Sequence, residues 1–459
     1  MGAAEDALIS FSTPARGAIA PQSDHNIVLA LPAQMQSPSA NREQFYESLV
    51  DLFNPRDVGV SSKGFNWMRV AALLAPSNPV LQDGLDTLSL IQLGSVHRDQ
   101  RLLNESTVQY GKALRGTSRS LRQGGLLDDT VLATVSILAL CEFFDHIKDN
   151  ASGWLGHIAG VDQILLARKP ASLNSKLSNI LFFTSRHASL ARSLVIRKAD
   201  PLDTEEWRAA IRRIPLGFAS HWISLAIQIP SLLERLDNLD VTSDGLLPAV
   251  EALLSDSESL ESEIKTWHTH WQRVVAPGGG TQFTVHSIVE FQPFSSLVQD
   301  RTMSTAYRFP EHKTSHLHCQ YWCSMWHLHR TLQSLYGLRE QALSRDVELA
   351  HITRDDPTTL ELDALVLSIC HCLPYFASPE TGTQGQISMF LPLRIATMHF
   401  RSREMWDWLA WVEDVRANAF TRGLSQPDIV AEDVVVPELS PLRTLDASNS
   451  PENAIAGPA

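Results

Sequence analysis

The residues best suited to chemistry crowd into one segment, HKTSHLHCQYWCSMWHLHR, residues 312 to 330. At 100° per residue, a helix over this segment places His316, Cys319, Cys323 and His327 within an arc of about 80°. Leu317, Tyr321, Met325, Leu328, Leu332 and Leu335 form a second, apolar face. Imidazoles and thiolates on one face are zinc chemistry, but the rise argues against a shared ion. From His316 to His327 the axis advances roughly 16 Å, too far for four ligands around one tetrahedral centre. At most an i, i+4 pair could bind with help from another helix, so packing of a mostly buried helix is the reading adopted and no metal is assigned.

Other candidates resolve the same way. Cys370, His371 and Cys372 are consecutive, and on a helix they point in three directions. Trp267 and Trp271 make an i, i+4 packing stripe with His268 and His270 at its margins. Lys112, Arg115, Arg119 and Arg122 recur at helical spacing as one basic face, read as solvated in preference to phosphate-binding. Gly278-Gly279-Gly280 lacks the following Lys-Ser/Thr of a phosphate loop and reads as a turn. His157 aligns with Val161 and Ile164, which suits a hydrogen-bonded packing role between paired helices. No dinucleotide fingerprint, Walker A, G-x-S-x-G or H-E-x-x-H occurs, so no catalytic residue is assigned, no enzyme is expected, and cofactor-binding residues stay unknown.

The elements that must position these residues are helices. From about residue 42 to 424 helical patterns alternate with Pro, Gly and polar turns, and β-branched alternation is scarce. Helices are expected at 84–95, 101–123, 177–196, 204–212, 217–237, 246–274, 313–342, 360–377, 387–400 and 402–421. Breaks are expected at Pro79, Pro201, Pro248, Pro310 and Pro357, among other positions. The segment from Asp128 to Lys148 has carboxylates at its start, His146 and Lys148 near its end, and apolar residues nearly all round. It reads as a central buried helix. Ser152 is the expected N-cap of the next, whose Trp154, Ile158, Val161 and Leu165 form a stripe; the short link at Asn150 makes the two an antiparallel pair. The expected architecture is all-α: a flexible leader at 1–41, one large helical array at 42–424, and an acidic disordered tail at 425–459.

Composition narrows the function classes. The 459 residues carry 38 Lys and Arg against 51 Asp and Glu, a formal charge of −13, so bulk charge does not favour a polyanion. Five cysteines, all at or beyond Cys141 and without a regular framework, point to a reducing compartment. The apolar run Val131 to Cys141 is too short to span a bilayer, so no membrane association is expected.

The order of these patterns is more informative than any one of them. The chain resembles the fungal-specific transcription factor domain found C-terminal to zinc binuclear cluster modules. The most specific block comprises Asp128-Asp129-Thr130, Ala133 to Ala139, Glu142-Phe143, then Trp154, His157, Gly160 and Ile164-Leu165-Leu166. Phe183 with Arg186, Trp207, Ile229-Pro230, Leu233, Trp267, Tyr321-Trp322, Ile369-Cys370 and Leu373 to Phe376 follow in order. Gly385, Met389-Phe390, Pro392-Leu393 and Trp408 complete it.

The resemblance implies an all-helical regulatory domain in the nucleus, controlling a metabolic or biosynthetic gene cluster, open to a small-molecule effector and working through homo- or heterodimers or other protein partners. The family's six-cysteine module has no counterpart before Cys141. Its absence is therefore expected, which puts direct DNA binding in doubt and makes a full-length relative the expected partner. Two alternatives stay open. One is a helical enzyme or metabolite-binding protein derived from this scaffold, for which an enclosed pocket with a His or carboxylate of displaced pKa is the distinguishing feature. The other is an interaction scaffold recruiting partners through its acidic tail.

Overall fold

The computed structural model describes residues 38–56, 67–144, 147, 152–212, 217–241, 243, 245–275, 282–343 and 357–425. The readings made for most of the leader, for the acidic tail, for His146, Lys148 and Asn150, and for the Gly278–Gly280 turn lie outside these residues. The chain divides into two units, Met1–Asn41 and Arg42–Ala459, and the second carries the helical array.

The described residues are overwhelmingly helical. In order they form α1 (Pro38–Phe53), α2 (Trp67–Leu74), α3 (Pro79–His97), α4 (Gln100–Arg122), α5 (Asp129–Cys141), α6 (Ser152–Arg168), α7 (Lys176–Ile196), α8 (Glu205–Ile211), α9 (Phe218–Ala226), α10 (Ile229–Asp237) and α11 (Leu246–Val275). A two-stranded hairpin follows, β1 (Thr284–Ser287) and β2 (Thr305–Arg308), with α12 (Phe294–Leu297) between its strands. The series ends with α13 (His312–Leu343), α14 (Pro357–Phe376), α15 (Gly382–Ile387), α16 (Phe390–Ser402) and α17 (Trp406–Asn418).

Local chemistry explains the helix ends. Asn78 accepts from the Leu81 N–H, Asp128 from the Thr130 N–H, and Ser175 with Ser178 forms a reciprocal capping box. Prolines expected as breaks at 79, 248 and 357 instead stand in the first turns of α3, α11 and α14, where their missing N–H is an orphan in any case. Pro230 has the same role in α10 and splits the single helix expected over 217–237 into α9 and α10. The hairpin was not expected; its cue is the short run Thr284-Val285 and Thr305 to Tyr307, too brief to stand out as alternation.

Three apolar clusters hold the array. One joins α1 to α3 with α5 to α8, a second packs the hairpin against α13, α14, α16 and α17, and the third gathers α7, α9, α10, α11 and α13. α5 is buried nearly all round, as its composition requires. α14 contains an 18-residue stretch, Thr359–Phe376, long and apolar enough to cross a membrane, and 56% of it is buried in the fold. Its packing on α13, β2 and α16 accounts for that composition. The far end of the unit is tied back to earlier elements: Arg422 donates to the Leu52 carbonyl of α1 at 2.8 Å, and the Ser425 N–H donates to the Phe143 carbonyl just after α5 at 3.1 Å.

Candidate functional site

Where the first and third clusters meet, the packing leaves a cavity of about 550 Å³. Its wall is drawn from α1, α2, α5, α6, α7, α9, α13, α15 and α16. Most of the lining is apolar, with Trp67, Phe143, Trp154, Phe183 and Phe390 prominent. Among the described lining residues Arg394 alone carries a formal charge, and no carboxylate is present. Both the volume and this balance match small-molecule sites, which are apolar with few polar groups.

The polar wall is His187 on α7 with His316 and Gln320 on α13 and Ser388 after α15. Gln320 Oε1 lies 3.2 Å from Trp222 Nε1 and 3.1 Å from His187 Nδ1. An indole N–H can only donate, so the amide atom facing it is the oxygen, and His187 must carry its proton on Nδ1. The Ser388 hydroxyl donates to the Gln384 carbonyl at 2.9 Å, so toward His316 Nδ1, at 3.4 Å, it accepts. His316 is thereby the same tautomer. Burial pulls the His187 pKa down to about 4 and that of His316 well below its usual value, so both rings are neutral at pH 7. The two rings meet edge to face with centroids 5.6 Å apart.

The ligand-like residues of α13 do not act together. His316, Cys319 and Cys323 line the cavity, whereas His318 hydrogen-bonds Gln282 at 2.8 Å and His329 pairs with Glu261 at 2.7 Å. His327 is buried beside Trp326. From α14, Cys372 comes into contact with Cys319, which also touches Cys323, while His371 stacks on Tyr307 of the hairpin with centroids 4.8 Å apart. This convergence of thiols from two helices could not be read from either segment alone. Burial raises the thiols of Cys323, Cys370 and Cys372, which keeps them protonated. Among the described residues no group of three or more His, Cys, Asp or Glu side chains is arranged to hold a metal ion.

His157 joins helices, as its position on α6 suggests. Its Nε2 lies 2.8 Å from the Tyr110 hydroxyl of α4, which donates in turn to Glu142 at the end of α5. Gly153 leaves room for that carboxylate, because a Cβ there would run into Glu142. Gly153→Ala should therefore cost about 1–3 kcal/mol of stability, read as a lowered urea midpoint. A midpoint unchanged within error would show that Glu142 swings away freely. Lys112, Arg115, Arg119 and Arg122 are all exposed, opposite the buried Ser106, Ala113 and Thr117 that face inward from α4. Trp267 and Trp271 are buried and stacked at 5.4 Å, with His270 exposed and His268 lying flat on Tyr321 at 3.7 Å.

The architecture is a helical array packed around an apolar cavity with a neutral histidine wall. Residues 58–425 match the model of the fungal specific transcription factor domain, and the chain belongs to that family. Membership points to a regulatory role, not an enzymatic one, and in general to the nucleus. The chain is also 28% identical over 193 residues to Uncharacterized protein AN5342 of Emericella nidulans, a match covering 39% of this chain and 41% of that protein. The match thus spans about two fifths of the length of the curated relative. No solved structure matches.

Proposed function

We propose that the protein is a transcriptional regulator whose helical domain takes a small apolar effector into the central cavity and relays occupancy to protein partners. The domain serves a metabolic or biosynthetic gene cluster and works as a homodimer or beside a full-length relative. One observation carries this reading: a regulatory-family fold with a mostly apolar cavity of about 550 Å³ between its helices. A domain used only as packed scaffold has no reason to keep such a space, since unfilled volume costs stability. The test is deletion of the gene with transcript profiling, alongside localisation of a tagged copy. A coordinated change in a set of metabolic genes and a nuclear signal are expected; a cytosolic protein whose loss leaves every transcript level unchanged would overturn the proposal.

The same cavity, with its displaced histidine pKa values, is also the feature that favours a helical metabolite-binding protein or enzyme on this scaffold. Transcript profiling separates the two, because only the regulator changes expression when deleted. A cavity-filling variant examines the coupling directly. Ala188, on the α7 wall, replaced by phenylalanine should leave thermal stability unchanged or slightly raised while abolishing the transcript response. A normal response from the stably folded variant would show that the cavity has no part in signalling.

A further inference from the structure

The effector reading leaves open what chemistry the cavity accepts, and the hydrogen bonds of its polar wall bear on that. His187 and His316 each spend Nδ1–H inside the protein, on Gln320 Oε1 and Ser388 Oγ. Among the described residues neither ring has a partner at Nε2, and neither Nε2 is a fully buried orphan atom. Both side chains lie deep in the fold yet keep accessible surface, which the cavity they line provides. Each therefore presents a lone pair to the cavity. Gln320, with its oxygen committed to Trp222 and His187, has its amide N–H groups to offer on the same wall.

A bound molecule must complement two acceptors and one donor, and must otherwise be apolar. A carboxylate would set its own lone pairs against those of two neutral imidazoles. A ketone or ether could satisfy Gln320 but would leave both ring nitrogens without a partner, which a site of this kind penalises. Resting on the effector reading above, we propose that the cavity selects a neutral apolar ring compound bearing hydroxyl groups, which donate to Nε2 of His187 and His316 while an oxygen of the ligand accepts from Gln320.

The test uses the full chain and four probes of one ring size: dihydroxynaphthalene, dimethoxynaphthalene, naphthalene and naphthoate, titrated by calorimetry. The diol is expected to bind at least about tenfold tighter than each of the others. His187→Phe and His316→Phe should each erase most of that preference while leaving naphthalene affinity within about threefold. Comparison of diol with dimethoxy compound on the unaltered protein keeps the test decisive if either variant misfolds. Naphthoate binding as tightly as the diol would assign the polar wall to anions through Arg394 and overturn the proposal. Tight binding of all four without a preference for hydroxyls would overturn it too, but would leave the effector reading standing. Binding of none of them would bring down both.

Discussion

Acidification from pH 7 to pH 5 should unfold this domain. In an unfolded chain each imidazole titrates near 6.5. In the fold, burial lowers His187, His268 and His312 to about 4, His318 and His327 to about 3, and His316 well below its usual value. Folded values below the unfolded one mean that the unfolded chain takes up protons first. The stabilisation is complete above pH 6.5 and is lost as pH falls toward 4. Each group withdraws up to about 1.4 kcal/mol per pH unit in that window. The five with stated values together withdraw about 9 kcal/mol by pH 5, comparable with the whole stability of an ordinary domain, and His316 acts in the same direction. Asp83, Asp162, Asp200 and Asp203 act in the opposite sense, since burial raises all four carboxyls; Asp162, at about 8, returns about 1.4 kcal/mol per pH unit across this window, so the net loss is smaller than the imidazole sum. Far-ultraviolet circular dichroism against pH reads the transition. His327 offers a control: its Nε2 is buried without a partner among the described residues, and phenylalanine in its place should move the midpoint to lower pH. A native spectrum maintained from pH 7 to pH 4.5 would show that these histidines take up protons without unfolding the chain.

That acid sensitivity comes from the same segment that first looked like a zinc site, and the contrast shows what sequence alone could say. Spacing along one helix separates His316 from His327, because rise per residue is a property of the helix alone. Spacing could not show that Cys372 of α14 meets Cys319 of α13, nor that His187 of α7 meets His316, since both depend on how helices cross. The stripes of α6 and α13 and the apolar run of α5 were legible because each is long enough to fix its type. The hairpin and the break between α9 and α10 were not, since two four-residue strands and one proline in a first turn are weak signals. The cavity was invisible for a different reason. A void is set by residues too small or too distant to fill it, here Ala188, Ala191, Ala219 and Ser220 among larger neighbours, and such positions read as ordinary packing.

Arg186, legible in the sequence only as a family-like position beside Phe183, should prove costly to lose. It is 1% exposed on α7, its guanidinium sits 5.5 Å above the Phe182 ring, and one N–H reaches Ser224 Oγ at 3.4 Å. Around it is a buried set of ionisable groups. Asp162, Arg192 and Asp200 are each less than 7% exposed, and the single Ser189 hydroxyl stands 2.5 Å from Asp200 and 3.1 Å from Asp162. One proton cannot serve both carboxylates at once. Burial accordingly pushes Asp162 up to about 8 and raises Asp200, held in check by the attraction of Arg186 and Arg192. Arg186→Met removes one cation from this set while preserving much of the volume, and leaves Asp200 and Asp203 with less compensation. Arg186 makes no direct ion pair among the described residues, so the loss is of longer-range compensation and is expected at about 2–4 kcal/mol, below the 3–5 of a broken buried pair but above the 0–1 of a surface pair such as Arg197–Asp237. Urea titration of Arg186→Met beside Asp237→Ala measures both. Adding Asp200→Asn to Arg186→Met should recover a substantial part of the loss, because it removes the charge left behind. Strict additivity of the two substitutions, or a loss under about 1 kcal/mol for Arg186→Met, would mean that Asp200 does not depend on the Arg186 charge and that α7 is held by its apolar contacts.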